Sequence, residues 1–328
     1  MAGAQGVLGR FTARALAAAG HNVLRGGRRA EEAADFRLVD LERPQTLAAA
    51  LDGVDLVVTS IPDPLARLER EVLRRGGLLL SQASVPAPAL RLLQADAAEG
   101  AKGTVVVNSG LTGVIGLVAR DLLRQFPQAD GVEIGFIISL NGSAGLAGVA
   151  TAHSWLTSAP RLATVRRQFT PPRGLWSCFD LSLNDIVWMS PALTGARKVR
   201  AYMGMAEKGL AAFLRALNKL GLLKRLPVGL LAAPVRSRPP PKELTHEPIR
   251  MRTAVYERGQ LLAARGVDAE GDYNSTVLST AIFAGALLNR LGPGDLPAGL
   301  FFVEDLFQLG DMKACLDKEQ IVVQPLLD

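Results

Sequence analysis

The sequence is poor in the residue types that build disulfide frameworks, metal centres and nucleic-acid surfaces. Its 328 residues include two cysteines, Cys178 and Cys315, and three histidines. Two cysteines are too few for a disulfide framework, which favours a reducing, cytoplasmic compartment. No His-x-x-x-His or Cys-x-x-Cys pair occurs, so no metal site is expected. With only three Trp and three Tyr, and with scattered basic residues, the net charge of +6 does not indicate nucleic-acid binding.

Long apolar runs and a hydrolase motif are also lacking. Apolar stretches such as residues 221–235 are interrupted by charge or proline well short of the roughly 20 residues that a bilayer span needs. No serine lies in a Gly-x-Ser-x-Gly frame, which argues against a serine hydrolase. The hydrophobic fraction of 48% and the charged fraction of 21% are those of an ordered globular protein. At this length the chain is expected to form more than one domain.

The most informative stretch is a glycine loop at the start of the chain. Gly3, Gly6 and Gly9 recur at a spacing of three, and an Ala/Leu-rich helix follows them up to Gly20. In a Rossmann unit the first glycine allows a tight turn, the second lets the backbone approach a pyrophosphate, and the third brings the helix close to the sheet. The helix N-terminus then offers unpaired N–H groups to the anion.

One part of this fingerprint is lacking, because only Met1 and Ala2 precede the first glycine where a strand is expected. Either further residues precede these two, or the sheet lacks its first strand. The second case would put cofactor binding in doubt.

The next 100 residues alternate between strand and helix patterns. Strands are predicted at residues 21–24, 36–41, 54–62, 77–81 and 104–108, and helices at 44–51, 64–75, 88–100 and 114–126. This alternation predicts an α/β fold with a doubly wound parallel Rossmann sheet in residues 1–127. Arginines at Arg25, Arg28 and Arg29 lie where an acidic residue would bind the ribose of NAD, so the pattern favours NADP.

From residue 128 the pattern changes. Strand-like pieces at 132–140, 199–203 and 249–256 are not regularly separated by helices, which predicts a second, α+β domain over residues 128–268 with a mixed or antiparallel sheet. Such a domain usually carries the substrate site and often a dimer interface. Residues 269–328, with a small-residue helix from Thr276, are expected to return to the first domain.

These features together resemble the saccharopine dehydrogenase family in its broad sense of NAD(P)-binding reductases. The matching stretches are the loop Gly3 to Gly9, Arg28, Asp40-Leu41, residues 53–62, Ser81, residues 97–105, Gly110-Leu111, residues 119–123, and the C-terminal Thr276 and 292–305 segments. The resemblance implies that NADP is held by three groups of residues, and it assigns no catalytic residue. The pyrophosphate would contact Gly3, Ala4, Gln5, Gly6, Val7 and Leu8. The 2′-phosphate would contact Arg28, and the adenine would lie between Asp40 and Leu41. The nicotinamide ribose would contact Ser60, Ile61 and Pro62.

Proton donors for hydride transfer are few. His153 follows a glycine-rich turn in the second domain, His246 lies in a proline-flanked loop, and His21 ends the first helix. For each of them, an active-site role competes with an ordinary structural one, in which local hydrogen bonds satisfy the ring. The structural interpretation is the more frequent one for a single histidine.

A basic amphipathic stretch covers residues 205–227. Leu210, Phe213, Leu214 and Leu217 fall on one helical face, and Lys208, Arg215 and Lys219 lie along another. A helix packed on the core with a solvated cationic face explains this pattern, and so does peripheral contact with an anionic membrane surface. The second interpretation makes a hydrophobic small-molecule substrate plausible.

The sequence therefore predicts an NADP-dependent oxidoreductase that transfers a hydride to or from a C=O, C=N or C=C group. The alternative is a non-catalytic dinucleotide-binding or membrane-surface protein that retains the Rossmann frame.

Overall fold

The computed structural model describes residues 1–108, 111–139, 145–182, 185–195, 197–237, 241–244, 246–291 and 296–326. The chain divides into two compact units. Unit 1 comprises Met1–Val114, Asp185–Ser190 and Thr276–Phe307, and unit 2 comprises Ile115–Asn184, Pro191–Ser275 and Gln308–Asp328. The domain boundaries predicted at residues 127 and 268 remain predictions. Within the described residues, no helix combines the length and apolar character needed to cross a membrane.

Strands and helices follow one another along most of the chain. The strands are β1 (Arg25–Gly27), β2 (Phe36–Leu38), β3 (Val57–Thr59), β4 (Leu78–Ser81), β5 (Thr104–Val107), β6 (Gly131–Ile138), β7 (Thr164–Gln168), β8 (Leu175–Asp180), β9 (Lys198–Met205), β10 (Pro248–Glu257), β11 (Gln260–Glu270), β12 (Gly299–Phe302) and β13 (Val322–Leu326). The α-helices are α1 (Val7–Ala18), α2 (Pro44–Leu51), α3 (Arg67–Arg75), α4 (Ala87–Ala98), α5 (Leu111–Gln125), α6 (Leu146–Leu156), α7 (Pro191–Thr194), α8 (Lys208–Lys219), α9 (Val228–Arg236), α10 (Asp272–Leu291), α11 (Val303–Leu306) and α12 (Leu309–Lys318).

Unit 1 contains a parallel sheet. Strands β3, β4, β5 and β12 pair in the order β12-β5-β4-β3, and β1 pairs with β2 in parallel. The central strands β4 and β5 are buried along their whole length. Their continuous Leu and Val runs suit strands that are covered on both faces, as in doubly wound folds. The predicted α/β class is thus confirmed.

Ala2 joins the two groups of strands. It forms parallel bridges with Gly26 of β1 and with Thr59 of β3. The Ala2 amide donates to the Val58 carbonyl at 2.8 Å, and the Ser60 amide donates to the Ala2 carbonyl at 3.1 Å. Counting Ala2 as a strand position, the chain order across the sheet becomes 3-2-1-4-5-6 followed by β12, which is the Rossmann order. One residue therefore occupies the position of the expected first strand, although no regular strand forms there.

This short junction also explains where the predicted strands were wrong. The strand expected at residues 21–24 forms instead at Arg25–Gly27, and the one expected at 54–62 contracts to Val57–Thr59. A strand extends only as far as its neighbour supplies backbone partners. On the β1 side, the Met1 nitrogen donates to the Leu24 carbonyl and the Met1 carbonyl accepts from the Gly26 amide. The hydrogen bonds between this first segment and the β1 region therefore begin at Leu24.

The helices of unit 1 begin where the sequence provides a start signal. Pro44 is the first residue of α2, where its fixed φ and missing N–H are compatible with a helix. The Asp63 carboxylate accepts from the Arg67 amide at 2.6 Å at the start of α3. Helix α3 then buries Leu68, Glu69, Val72 and Leu73 toward the sheet. The predicted bounds of α2 are confirmed at both ends.

Unit 2 is built on a seven-stranded mixed sheet with the order β13-β11-β10-β6-β9-β8-β7. Strands β6 and β9 pair in parallel, and the other pairs are antiparallel. Strands β10 and β11 form a hairpin whose turn residues Arg258 and Gly259 both have positive φ. Two such residues are what a tight hairpin turn of matching twist requires. The predicted second, mixed sheet is confirmed.

Candidate functional site

The glycine loop has the close packing that its spacing predicts. Gly3 has a φ of +85°, and a Cβ on it would lie 2.6 Å from Ser60 Oγ. A Cβ on Gly9 would lie 2.6 Å from the Gly3 carbonyl carbon and overlap its oxygen. Helix α1 therefore lies directly on the turn. Both positions require glycine for reasons within the protein itself.

Gly6 differs from the other two glycines. A Cβ on Gly6 would meet only the Gly3 carbonyl oxygen, at 3.3 Å, so the fold demands glycine there much less strongly. Gly6 is exposed and is the N-cap of α1, where no side chain caps the helix. The first amides of a helix have no acceptor inside it, and they attract anions together with the helix dipole. Gly6, Val7 and Leu8 thus form an open, uncapped helix start that fits a phosphate group.

The structure brings Ser60 and Ile61 to the same turn. They follow β3 at the carboxyl end of the parallel sheet, and Ile61 would lie 3.1 Å from a Cβ on Gly3. Pro62 comes next and is exposed. Ligands of open α/β sheets bind beyond the carboxyl ends of the strands, where the order of the strands reverses. The reversal here lies at Ala2, between β1 and β3, directly beside Gly3.

Gln5 connects the glycine loop to the loop after β1. Its side chain donates to the Arg29 carbonyl at 2.7 Å and to the Glu31 carboxylate at 2.9 Å. A Cβ on Gly27 would lie 2.5 Å from Gln5 Oε1, so the close approach depends on glycine there. The predicted pyrophosphate residues and the predicted 2′-phosphate loop are therefore in direct contact.

The arginines of this loop have different surroundings. The Arg25 guanidinium makes two hydrogen bonds to Asp35, at 2.7 and 3.0 Å, and one to Glu31 at 3.1 Å. Arg28 and Arg29 are exposed, and neither forms an ion pair with any carboxylate in the described part of the chain. Since Arg25 is engaged, Arg28 and Arg29 are the cations that an added phosphate could meet.

Asp40 organises its own loop. It is buried, and its carboxylate accepts from the Glu42 amide at 3.1 Å and lies 3.4 Å from Arg43. Leu41 is half-buried and packs on the hydrophobic core of unit 1. Asp40 and Leu41 follow β2 at the sheet edge where the adenine was predicted to bind. Their role at the adenine stays a prediction.

Glu69 is a buried carboxyl group at the carboxyl edge of the parallel sheet, and it is not among the predicted site residues. Glu69 is 7% exposed, and it accepts a hydrogen bond of 3.0 Å from Ser81, the last residue of β4. Burial raises the pKa of the Glu69 carboxyl to about 7, although the Ser81 hydrogen bond works against this. A buried acid with such a pKa can exchange a proton near neutral pH.

A buried polar network lies at the ends of β4 and β5. Gln82 contacts Thr12 of α1 and accepts from Thr280 of α10 at 2.9 Å. Asn108, directly after β5, donates to Thr280 at 3.3 Å. Thr12, Asn108 and Thr280 are fully buried. This network fixes α1 and α10 on the sheet edge, whereas the neighbouring Ser109 and Gly110 of the predicted loop lie outside the described residues.

Two of the three histidines belong to unit 2, and the third belongs to unit 1. His153 Nε2 is 2.7 Å from the Leu226 carbonyl in unit 2, and His246 pairs with Glu270 at 3.1 Å on the surface. His21 lines a cavity of about 240 Å³ at the opposite, amino end of β3. Among the residues that the structure describes, no three His, Cys, Asp or Glu side chains converge as metal ligands would. Cys178 and Cys315 are free thiols.

Unit 2 contains an ion cluster around Glu133 of β6. Its carboxylate accepts from Arg167 Nε and Nη2 at 2.8 Å each, from Tyr256 at 2.9 Å and from Tyr202 at 3.2 Å. Arg252, whose side chain is 2% exposed, lies 3.5 Å away. Burial opposes the charge, but the Arg167 hydrogen bonds hold the pKa of Glu133 below its usual range. Both oxygens are fully used, so the cluster serves as a structural anchor.

Comparisons with known proteins do not assign the chain to a family. No family model and no curated protein matches the chain. The chain is similar to an oxidoreductase from Thermotoga maritima, with 11% identity and a TM-score of 0.35 over 87% of this chain and 84% of that one. It is also similar to a dipicolinate-bound dihydrodipicolinate reductase from Paenisporosarcina sp. TG-14, with 10% identity and a TM-score of 0.39 over 93% and 97%. Both neighbours are oxidoreductases, but shared activity does not follow from similarity at this level.

Proposed function

We propose that the chain is an NADP-dependent oxidoreductase of the saccharopine dehydrogenase-like type. The observation that carries this proposal is the glycine loop. Gly3 and Gly9 are needed for packing inside the protein, whereas Gly6 leaves an open, uncapped helix N-terminus at the strand-order reversal. A glycine that the fold itself barely requires, placed where anions bind, is explained by a ligand.

The residues present fit a dinucleotide. The backbone from Gly3 to Leu8 would hold the pyrophosphate, and Ser60 to Pro62 would border the nicotinamide ribose. Asp40 and Leu41 would border the adenine. When bound, the nicotinamide would supply the hydride for reduction of a C=O, C=N or C=C group, or accept it in the reverse direction. The proposed substrate is a small, hydrophobic molecule that carries one of these groups.

The choice of NADP over NAD rests on charge. Arg28 and Arg29 offer two exposed guanidinium groups beside the loop that Gln5 connects to the pyrophosphate site. Guanidinium groups form strong, charge-assisted hydrogen bonds with phosphate. Glu31 lies nearby, but its carboxylate is engaged by Gln5 and Arg25. The balance therefore favours a 2′-phosphate over a free 2′-hydroxyl.

The first test is a titration of NADPH and NADH followed by nicotinamide fluorescence. We expect NADPH to bind at least about tenfold more tightly than NADH, and Arg28→Ala to weaken NADPH binding by about tenfold without affecting NADH. Arg91→Ala, which removes an exposed guanidinium from α4 in the same unit, is the matched control. Equal affinities for both nucleotides in the wild type would refute the choice of NADP.

Gly6→Asp tests the site itself. Aspartate is a favourable N-cap residue, so this variant should keep its thermal stability while its carboxylate repels the pyrophosphate. We expect nucleotide binding to be lost and the far-ultraviolet circular dichroism spectrum to be unchanged. Binding that survives in the folded variant would place the nucleotide elsewhere or nowhere on this loop.

A second function, dinucleotide binding without turnover, is favoured by one observation. Two of the three histidines, His153 and His246, belong to unit 2, and His21 of unit 1 lies at the amino end of β3. Oxidation of NADPH in the presence of a panel of carbonyl, imine and enoyl compounds separates the two functions. An enzyme would show turnover that Gly6→Asp abolishes, whereas a binding protein would show saturation without turnover.

A further inference from the structure

A basic and apolar surface lies in unit 2, outside the proposed nucleotide site. It is formed by α8, by the 3₁₀ turn Leu223–Arg225 and by α9, and we call it the basic ridge. Residues 208–236, which span these elements, contain six Lys or Arg and no Asp or Glu. This equals the formal net charge of +6 of the whole chain, so the remaining residues are balanced in charge.

Large apolar side chains are exposed on the same ridge. Leu220 is 66% exposed, Leu230 50%, Phe213 43% and Val228 41%. These four account for nearly half of the large hydrophobic side chains that are exposed among the described residues. Isolated exposed hydrophobics are ordinary on a protein surface, but their concentration in one segment marks an interaction site.

The arrangement along α8 shows how charge and apolar character combine. The helix buries Ala211, Leu214 and Asn218 on one side. At about 100° per residue, its exposed positions cover an arc of roughly 140°. Lys208 and Lys219 lie at one edge of this arc, and Phe213 lies at the other. The predicted apolar face is thus divided, because Leu214 enters the core whereas Phe213 faces outward.

The turn after α8 continues the pattern. Leu223 and Leu226 are buried and anchor the turn, while Lys224 and Arg225 between them are exposed. His153 of α6 lies 2.7 Å from the Leu226 carbonyl and thus holds the turn on unit 2. The guanidinium of Arg161 lies beside Gly221 and adds a seventh positive charge. Among the residues that the structure describes, Lys208, Lys219 and Lys224 form no ion pair with a carboxylate.

From these observations we infer that the basic ridge docks unit 2 on an anionic phospholipid surface. Exposed lysine and arginine side chains are attracted to acidic headgroups, and neighbouring Leu, Phe and Val side chains enter the interface between headgroups and acyl chains. A segment without a single acidic residue over the 29 positions from 208 to 236 suits a uniformly anionic partner better than a protein partner of mixed charge.

Vesicle co-sedimentation with the full-length chain tests the inference. We expect binding to vesicles of phosphatidylcholine with about one third phosphatidylserine, and at least tenfold weaker binding to pure phosphatidylcholine. Binding should fall as salt is raised toward 0.5 M, because screening weakens the attraction of exposed charges. Equal binding to both vesicle types, or binding to neither, would overturn the inference.

Two variants separate the contributions. Lys219→Glu with Lys224→Glu should reduce binding at least tenfold, whereas Arg91→Glu with Lys102→Glu, an equal charge change on unit 1, should reduce it much less. Leu220→Ser with Leu230→Ser keeps every charge and should also weaken binding several-fold. If the two charge reversals have equal effects, or if the serine variant binds like the wild type, the ridge is not the docking surface.

A fluorescence measurement locates the contact. After Cys315→Ser, the buried Cys178 remains and Leu220→Cys supplies an exposed thiol for an environment-sensitive dye. The dye at position 220 should shift to shorter wavelength with anionic vesicles, and the same dye on Lys102→Cys should not. A shift at position 102 alone would place the contact on unit 1. The far-ultraviolet circular dichroism spectrum of each variant checks independently that the chain is folded.

Discussion

Replacing Glu69 with glutamine should change how stability depends on pH. Glu69 lies on the buried face of α3, and its pKa is raised to about 7 from the usual 4.5. Glutamine keeps the same shape and still accepts the Ser81 hydrogen bond, but it cannot ionise. The difference between the two pKa values corresponds to about 3 kcal/mol of free energy. This is the amount by which ionised Glu69 destabilises the folded state.

The direction follows from proton binding. Between pH 4.5 and 7 the folded chain keeps a proton on Glu69 that the unfolded chain has released. The free energy of unfolding of the wild type therefore falls as the pH rises through this range, and the contribution is lost above pH 7. The free energy of unfolding of Glu69→Gln, relative to that of the wild type, should therefore increase by about 3 kcal/mol between pH 4.5 and 8. About half of this increase should be reached by pH 6.

Urea unfolding followed by circular dichroism measures this difference at each pH. Other titrating groups are the same in both chains and cancel in the comparison. Hydrogen exchange of the β4 and β5 amides, read by mass spectrometry, assigns the change to unit 1. Glu32→Gln, at an exposed position of the same unit, is the matched control. If the stability difference between Glu69→Gln and the wild type is constant across this pH range, Glu69 is not a buried acid with a raised pKa.

Two further predictions concern packing and charge. Gly9→Ala should lower the free energy of unfolding by about 2 to 3 kcal/mol in urea, because its Cβ would overlap a backbone carbonyl, whereas Gly6→Ala should cost less than about 1 kcal/mol. Glu133→Gln should lower stability by about 3 kcal/mol, seen as a lower melting temperature, because it removes the negative charge that the buried Arg252 and the half-buried Arg167 face.

Much of unit 1 could be predicted from local patterns. The apolar runs of β4 and β5, the proline that starts α2 and the glycine spacing each depend on residues close together in sequence. The positions of β1 and β3 depend instead on Ala2, which is remote from both along the chain. No periodicity within residues 21–27 or 54–62 contains that information.

Other features were missed because tertiary burial overrides local character. The sequence of helix α3 is strongly polar, so its composition does not indicate that Glu69 enters the core. The one local signal is that Glu69 lies next to Leu68 and three residues before Val72, on the side of the helix that these apolar residues bury. Strand β7 contains two adjacent arginines and is only partly buried, so its pattern is weak. The glycine of the Arg258-Gly259 turn after β10 is the local signal for the hairpin that leads into β11.

The junction at Ala2 has a consequence for ligand binding. Strands β1 and β2 are joined to β3, β4, β5 and β12 by the backbone of Met1 to Gly3, and a local opening of a few hydrogen bonds there would separate them. A dinucleotide that contacts Gly3, Ser60 and Arg28 touches both sides, so it binds only the closed form. The apparent affinity for such a dinucleotide would then be reduced by the fraction of molecules in which this junction is closed. By mass action, bound nucleotide would stabilise the paired sheet.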